Sequence, residues 1–178
     1  SSDTPELGFT GGEPLLLGES FFEILDLCKI HLPTTAIHVL SNGRFFSYLS
    51  YAKRMASVGL TNVMIGIPLY SDVPWRHEFV VQAKGAYDQT IRGILNLARC
   101  GIPIELRVVI HRYTIDRLVE LAKFITRNLP FVHHVALMGL EPIGFGKTNL
   151  DALWIDPADT HDKLASAVEV LDQRGIRT

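Results

Sequence analysis

Leu7-Gly8-Phe9-Thr10-Gly11-Gly12-Glu13-Pro14 is the stretch on which the fold is read. A short apolar run reaches two glycines, an acid and a proline. That is how a buried strand ends and turns at the mouth of an α/β site. Glycines allow positive φ and let a ligand approach the backbone closely. Proline stops the strand and fixes the exit direction. Glu13 is left at the rim, free to accept hydrogen bonds from a cationic ligand.

Working outward, the same unit recurs. The first strand, Glu6 to Thr10, is followed by Ser20-Phe21-Phe22-Glu23, which reads as a capping box opening a helix. Ala36 to Leu40 is a second strand ending in the Ser41-Asn42-Gly43 turn, before a helix near Ser47 to Ser57 closed by Gly59. Asn62 to Ile67 is almost continuously apolar, as a parallel strand covered on both faces should be. Pro68 to Gly85 reads as one long irregular loop rich in aromatic and charged residues, the kind that often carries binding. Asp88 is then expected to cap a helix with an apolar face of Ile91, Ile94, Leu95 and Ala98, stopped by Gly101. Pro103 to Ile110 is the fourth strand and His133 to Met138 the fifth, with an amphipathic helix of Ile115, Leu118, Val119, Ala122 and Ile125 between them. A loop through Glu141, Gly144 and Gly146 leads to Asp156-Pro157, an N-cap and first-turn proline.

Five strand-helix units, with a sixth strand starting after Gly175, imply an α/β fold with a parallel sheet and right-handed crossovers. Ligand-contacting residues then belong at the carboxyl ends of the strands. That rule selects Gly12 and Glu13, Ser41 and Asn42, the loop after Ile67, His111, and Met138 to Glu141.

The 178 residues suit one domain, 1–178, with a substantial core. Seventeen basic and nineteen acidic residues give a formal charge of -2, which argues against a general nucleic-acid or membrane-surface binder. No apolar run reaches membrane-spanning length. The two cysteines, Cys28 and Cys100, fall in helical patterns and read as buried core residues, so a reducing, cytoplasmic setting is expected rather than a disulfide scaffold. The polar lead Ser1 to Pro5 and the stop just after a helix read as the ends of an internal piece of a longer protein.

Other signals are weak. Gly144-Phe145-Gly146-Lys147-Thr148 has Glu141 where a phosphate loop needs a glycine, and reads instead as a flexible loop over the sheet mouth. The seven histidines show no metal-ligand spacing. His133 and His134, adjacent in a strand, point to opposite faces. No serine-histidine-aspartate arrangement is defensible.

Taken together, these residues resemble the radical S-adenosylmethionine (SAM) superfamily. Gly11-Gly12-Glu13-Pro14 is similar to that family's motif at the end of the second barrel strand, which holds the SAM amino group. Ser41-Asn42 resembles the polar pair after the third strand, near the methionyl and ribose portions. Gly85-Ala86-Tyr87-Asp88 resembles a helix entry of peptide-modifying members. More narrowly, Ile37 to Arg44, Ile67 to Asp72, Arg107 to His111 and His134 to Glu141 look like the C-type maturase of His-Xaa-Ser repeat systems. The resemblance implies a partial TIM-like (βα) barrel, a radical SAM core with its first strand-helix unit missing. It implies SAM and a 4Fe-4S cluster as cofactors, a small His-Xaa-Ser repeat peptide as substrate, a second radical SAM maturase as partner, and 5′-deoxyadenosyl radical chemistry. Gly11, Gly12, Glu13, Pro14, Ser41, Asn42, Arg107, His111 and Met138 are the expected cofactor contacts. Arg107 suits the SAM carboxylate, which a guanidinium can fork, or a structural ion pair.

The sequence departs from the family in two places. The Cys-Xaa3-Cys-Xaa2-Cys loop that ligates the cluster is absent, as is a cysteine-rich C-terminal region. Gly66 and Pro68 also stand where the fourth strand often supplies a serine and an acid to the ribose. The 178 residues alone are therefore expected to be inactive. A second reading stays open: a non-catalytic barrel module without a cluster that binds a peptide or partner. Three cysteines at the family spacing before Ser1 would decide for the enzyme. An exposed edge at the first strand would favour pairing between copies.

Overall fold

The computed structural model describes residues 4–178, so Ser1 to Asp3 of the polar lead lie outside the described residues. Five strands, β1 (Glu6–Phe9), β2 (Ala36–Leu40), β3 (Val63–Pro68), β4 (Ile104–Ile110) and β5 (His134–Gly139), form one sheet in the order β1-β2-β3-β4-β5. Gly8 pairs with His38 and His38 with Met64, both in parallel register. Strand order follows chain order with helices between, the layout of a partial (βα) barrel. Contacts divide the chain into two compact units. One runs to Pro68 and includes Asp88–Glu105; the other is Leu69–Tyr87 with Leu106–Thr178.

In the first unit, Ile37 and Val39 of β2 are buried while His38 and Leu40 between them are half-buried, the period-two alternation of a strand. Helix α1 (Glu19–His31) buries Phe21, Phe22, Leu25 and Cys28. Helix α2 (Leu49–Val58) buries Ala52, Met55 and Val58. Each fully buried side chain of this size contributes about 2 kcal/mol of transfer free energy.

The expected capping box at Ser20 is not formed. Pro14–Leu17 make a 3-10 turn, and α1 starts at Glu19 after Gly18, which at φ 57° takes the cap position two residues before the serine. Gly59 does close α2, at φ 70°. Cys100 is only half-buried, whereas Cys28 is core.

In the second unit the expected loop contains a helix. Pro74 opens α3 (Pro74–Val81), which ends on Gln82 in the left-handed region at φ 53°. Proline at the first helical position lacks only a donor that would have no partner there. Asp88 does not cap the next helix either: α4 (Ala86–Arg99) begins two residues earlier and carries Asp88 in its first turn.

Helices α5 (Leu118–Asn128) and α8 (Pro157–Asp172) supply the apolar interior of the second unit. Leu118, Leu121, Ala122 and Ile125 face inward with Ala167 and Leu171, beside Val108 and Val135. Asp156 caps α8 as expected, its carboxylate accepting from the Ala158 amide at 2.9 Å. The loop expected after β5 holds two short helices instead, α6 (Gly144–Thr148) and α7 (Leu150–Leu153). The Val135 amide donates to the Arg177 carbonyl at 2.9 Å, so the chain re-enters the sheet in parallel where a sixth strand was expected.

Candidate functional site

At the carboxyl ends of β1 and β2, in the first unit, a single carboxylate organises two turns. Glu13 is the N-cap of the 3-10 turn, and its Oε1 accepts from the Leu15 amide at 3.3 Å. The same Oε1 accepts from the Ser41 hydroxyl at 2.9 Å, and Oε2 from the Asn42 amide at 2.8 Å. Ser41 is buried, and its hydroxyl in turn accepts from the Gly43 amide at 3.1 Å. The Asn42 side chain accepts from the Arg44 amide at 2.9 Å. A carboxylate offers about four acceptor positions. Oε1 has two donors and Oε2 one, so Oε2 keeps a position for a cation.

Directly before Glu13 the backbone is open. Gly11 has φ 133°, and a Cβ at Gly11 or Gly12 would meet nothing within 4 Å. Pro14 behind them is buried. The sequence placed Glu13, Ser41 and Asn42 at strand ends; the structure brings all three together.

Helix α4 props this arrangement, which the sequence did not reveal. Thr90 donates to the Asn42 carbonyl at 3.1 Å, and Asn96 to the Phe46 and Ser47 carbonyls at 2.9 and 3.1 Å. Gln89 accepts from Arg44 Nε at 2.6 Å. A Cβ at Gly93 would lie 2.1 Å from the Gly43 carbonyl oxygen. The buried stripe of α4 is therefore Thr90, Gly93, Ile94 and Leu97, turned from the expected Ile91, Ile94, Leu95 and Ala98, because Thr90 and Asn96 turn inward to meet turn carbonyls.

The second unit contains a different cluster. Rings follow one another from Phe79 to Tyr113 (5.3 Å between centroids), to His111 (6.2 Å), to Tyr70 (6.3 Å), to His77 (5.8 Å) and to Tyr87 (5.8 Å). His77 and His111 are both buried. His77 Nδ1 accepts from the Tyr70 amide at 3.3 Å, and His111 Nδ1 from the Tyr113 amide at 3.2 Å. A backbone amide can only donate, so both imidazoles carry their proton on Nε2.

Burial lowers the His77 pKa from 6.5 to about 4, and it also lowers that of His111. Burial raises the Tyr70 phenol, with the Arg107 guanidinium pulling the other way. Thr114 holds the His111 turn, accepting from the His111 amide at 2.8 Å and donating to the Val109 carbonyl. Burial raises the carboxyl of Asp72, but the Arg117 guanidinium outweighs it and leaves the pKa below the ordinary value. Arg107 and Met138 are half-buried on β4 and β5.

The model of the radical SAM superfamily matches residues 2–125, more than half of the chain, and the chain belongs to that superfamily. Members of the superfamily are enzymes that use SAM and a 4Fe-4S cluster. No curated protein matches the sequence.

The fold is similar to SuiB of Streptococcus suis bound to S-adenosylmethionine, at 14% identity and TM-score 0.74, over 96% of this chain and 37% of that one. A further SuiB structure is bound to the precursor peptide SuiA. A domain of a pyruvate-formate lyase-activating enzyme from Bacteroides vulgatus is similar at 16% identity and TM-score 0.69, over 96% and 95% of the two chains. Coproporphyrinogen III oxidase of Escherichia coli, a radical SAM enzyme, is similar at 12% identity and TM-score 0.64, over 96% and 41%. The chain spans little more than a third of SuiB, and identities this low carry the fold alone.

Among the described residues no helix is long and apolar enough to cross a membrane.

Proposed function

We propose that this chain is the SAM-binding core of a radical SAM enzyme that modifies a peptide, with a small His-Xaa-Ser repeat peptide as substrate, a second radical SAM maturase as partner, and a cytoplasmic setting. The observation that carries the cofactor part is the Glu13 carboxylate, fixed by Ser41 and Asn42 and keeping one acceptor position beside two open glycines. That free acceptor position fits an ammonium-bearing ligand. Glu13 accepts from the SAM amino group, and Gly11 and Gly12 let the ligand lie against bare backbone. Pro14 and the 3-10 turn fix the carboxylate from behind, while Ser41 and Asn42 stop it from swinging out. Bound SAM supplies the hydrogen-abstracting chemistry of the superfamily. The sequence reading also assigns Arg107, His111 and Met138 to the cofactor; they belong to the second unit, and the proposal stands on the first.

The cluster is a different case. No group of three metal-ligating side chains occurs among the described residues. The chain's two cysteines stand apart, Cys28 within α1 and Cys100 just past α4. These residues do not fit a 4Fe-4S cluster, and no step is drawn through one. The peptide part is supported by the likeness to SuiB and by the sequence segments similar to His-Xaa-Ser maturases.

Calorimetric titration with SAM tests the cofactor reading. Glu13→Gln removes the charge and keeps the shape, and binding should weaken at least tenfold, since a charge-assisted hydrogen bond is worth about 1.5–3 kcal/mol. Equal affinity of the two proteins sinks it. Iron and sulfide reconstitution of the 178 residues should leave no stoichiometric cluster and no SAM cleavage; iron analysis giving four irons per chain contradicts this.

A further inference from the structure

One surface of the second unit is used by nothing described so far. Trp75, Phe79, Tyr113 and Trp154 are 63%, 50%, 42% and 45% exposed. Trp75 and Phe79 lie four residues apart on α3, and Arg76 and Phe79 three apart, so these side chains share one side of the helix. Phe79 packs edge-on against Tyr113. Tyr113 follows Arg112, whose amide donates to the Leu153 carbonyl at 2.9 Å and whose guanidinium donates to the Trp154 carbonyl at 3.0 and 3.3 Å. The Arg76 guanidinium lies 5.2 Å from the Trp75 ring centroid. Trp75, Phe79 and Tyr113 thus form an exposed aromatic surface with Arg76, and Arg112, next to Tyr113, ties the backbone of the exposed Trp154 to it.

Exposed aromatic patches of this kind mark interaction sites, and Trp, Tyr and Arg are the residues that dominate binding energy in protein interfaces. The charges select the partner. Of the carboxylates on these elements, Asp72 is held by Arg117, Asp116 by Lys163 at 2.6 Å, and Glu78 is turned to the Gly85 amide at 2.8 Å. Among the described residues, Arg76 adds a favourable field at Asp116 without an ion pair of its own, and the Arg112 guanidinium meets the Trp154 carbonyl. Neither of the two guanidiniums is therefore closed in an ion pair among the described residues. They are too few to track a phosphate backbone, which takes several cations, but they match spaced carboxylates.

We propose that this surface docks an acidic polypeptide segment that carries apolar anchor side chains, as the recognition part of the peptide the chain acts on. The assignment of that segment to the substrate rests on the peptide-modifying reading above.

Trp75 and Trp154 are the chain's only tryptophans, so intrinsic fluorescence reads this surface directly. The probe is a synthetic 14-residue peptide of Leu and Tyr anchors separated by Glu. The controls are the same peptide with every Glu replaced by Lys, and a single-stranded thymidine oligonucleotide. The acidic peptide should shift the emission to the blue in a saturable way, and neither control should. Arg76→Glu with Arg112→Glu should weaken the acidic peptide at least tenfold and admit the lysine peptide, with an unchanged melting curve. Equal binding of the two peptides, an unaltered response in the double variant, or preference for the oligonucleotide overturns the proposal. SAM titration run in parallel separates the two readings. If SAM binding depends on Glu13 and the peptide fails, this surface alone is wrong; if the peptide behaves as expected and Glu13 proves irrelevant, the cofactor reading alone is wrong.

Discussion

The turn pair around Glu13 and the ring cluster around Tyr70 both follow the carboxyl ends of strands, yet they are built on opposite principles. Around Glu13 the carboxylate is met by donors, a hydroxyl and two backbone amides, with open glycine backbone directly before it. Around Tyr70 the titratable groups are kept neutral by burial, and rings fill the space. A site that must hold a cationic ligand needs a fixed, partly unsatisfied anion. A cluster that must stay dry needs neutral groups. The fold supplies both from the same strand-end positions by changing what the following turn carries.

The comparison breaks first at Gly93. A Cβ there would lie 2.1 Å from the Gly43 carbonyl, a backbone atom that cannot step aside. Gly93→Val should cost at least about 3 kcal/mol and lower SAM affinity through the displaced turn, checked by thermal melting with SAM titration. Acid breaks the other cluster. His77 has a folded pKa depressed to about 4 from 6.5, so its neutral form stabilises the fold fully above 6.5. That contribution falls as pH drops from 6.5 and is gone below about 4, a loss of about 3 kcal/mol. Urea unfolding at pH 7 and 4.5 should show the difference, and His77→Phe should flatten it.

Ser41→Ala sharpens the contrast more gently. It removes the hydroxyl between Glu13 and the Gly43 amide, at a cost of about 1–2 kcal/mol, and should weaken SAM binding severalfold while leaving the acid profile unchanged. The smallest effect is expected at Asp72→Asn. Its pair with Arg117 is part-exposed and screened, so about 1 kcal/mol is at stake in a denaturant melt.

Much of the fold was legible because local chemistry settled it. Apolar runs of strand length, Gly59 and Gly175 as stops, and Asp156-Pro157 as a start all behave as read. The misses share a cause. Ser20, Asp88 and the Pro68 to Gly85 stretch were read from local residues, but tertiary contacts moved each boundary. Gly18 took the cap from Ser20, and α3 formed where His77 is its one fully buried side chain, too little to show as a periodic stripe. Glu13, Ser41 and Asn42 were each legible as turn residues. Their hydrogen bonds were not, because they join positions 28 and 29 residues apart. Thr90, Gln89 and Asn96 were missed because a polar residue on a helix ordinarily faces water.

The two buried imidazoles have a chemical consequence of their own. Each has its Nδ1 lone pair taken by a backbone amide. The only nitrogen left to meet another group bears a hydrogen. At neutral pH His77 and His111 therefore meet their surroundings as hydrogen-bond donors through Nε2, while the Nδ1 lone pair of each is engaged by an amide that acid must displace.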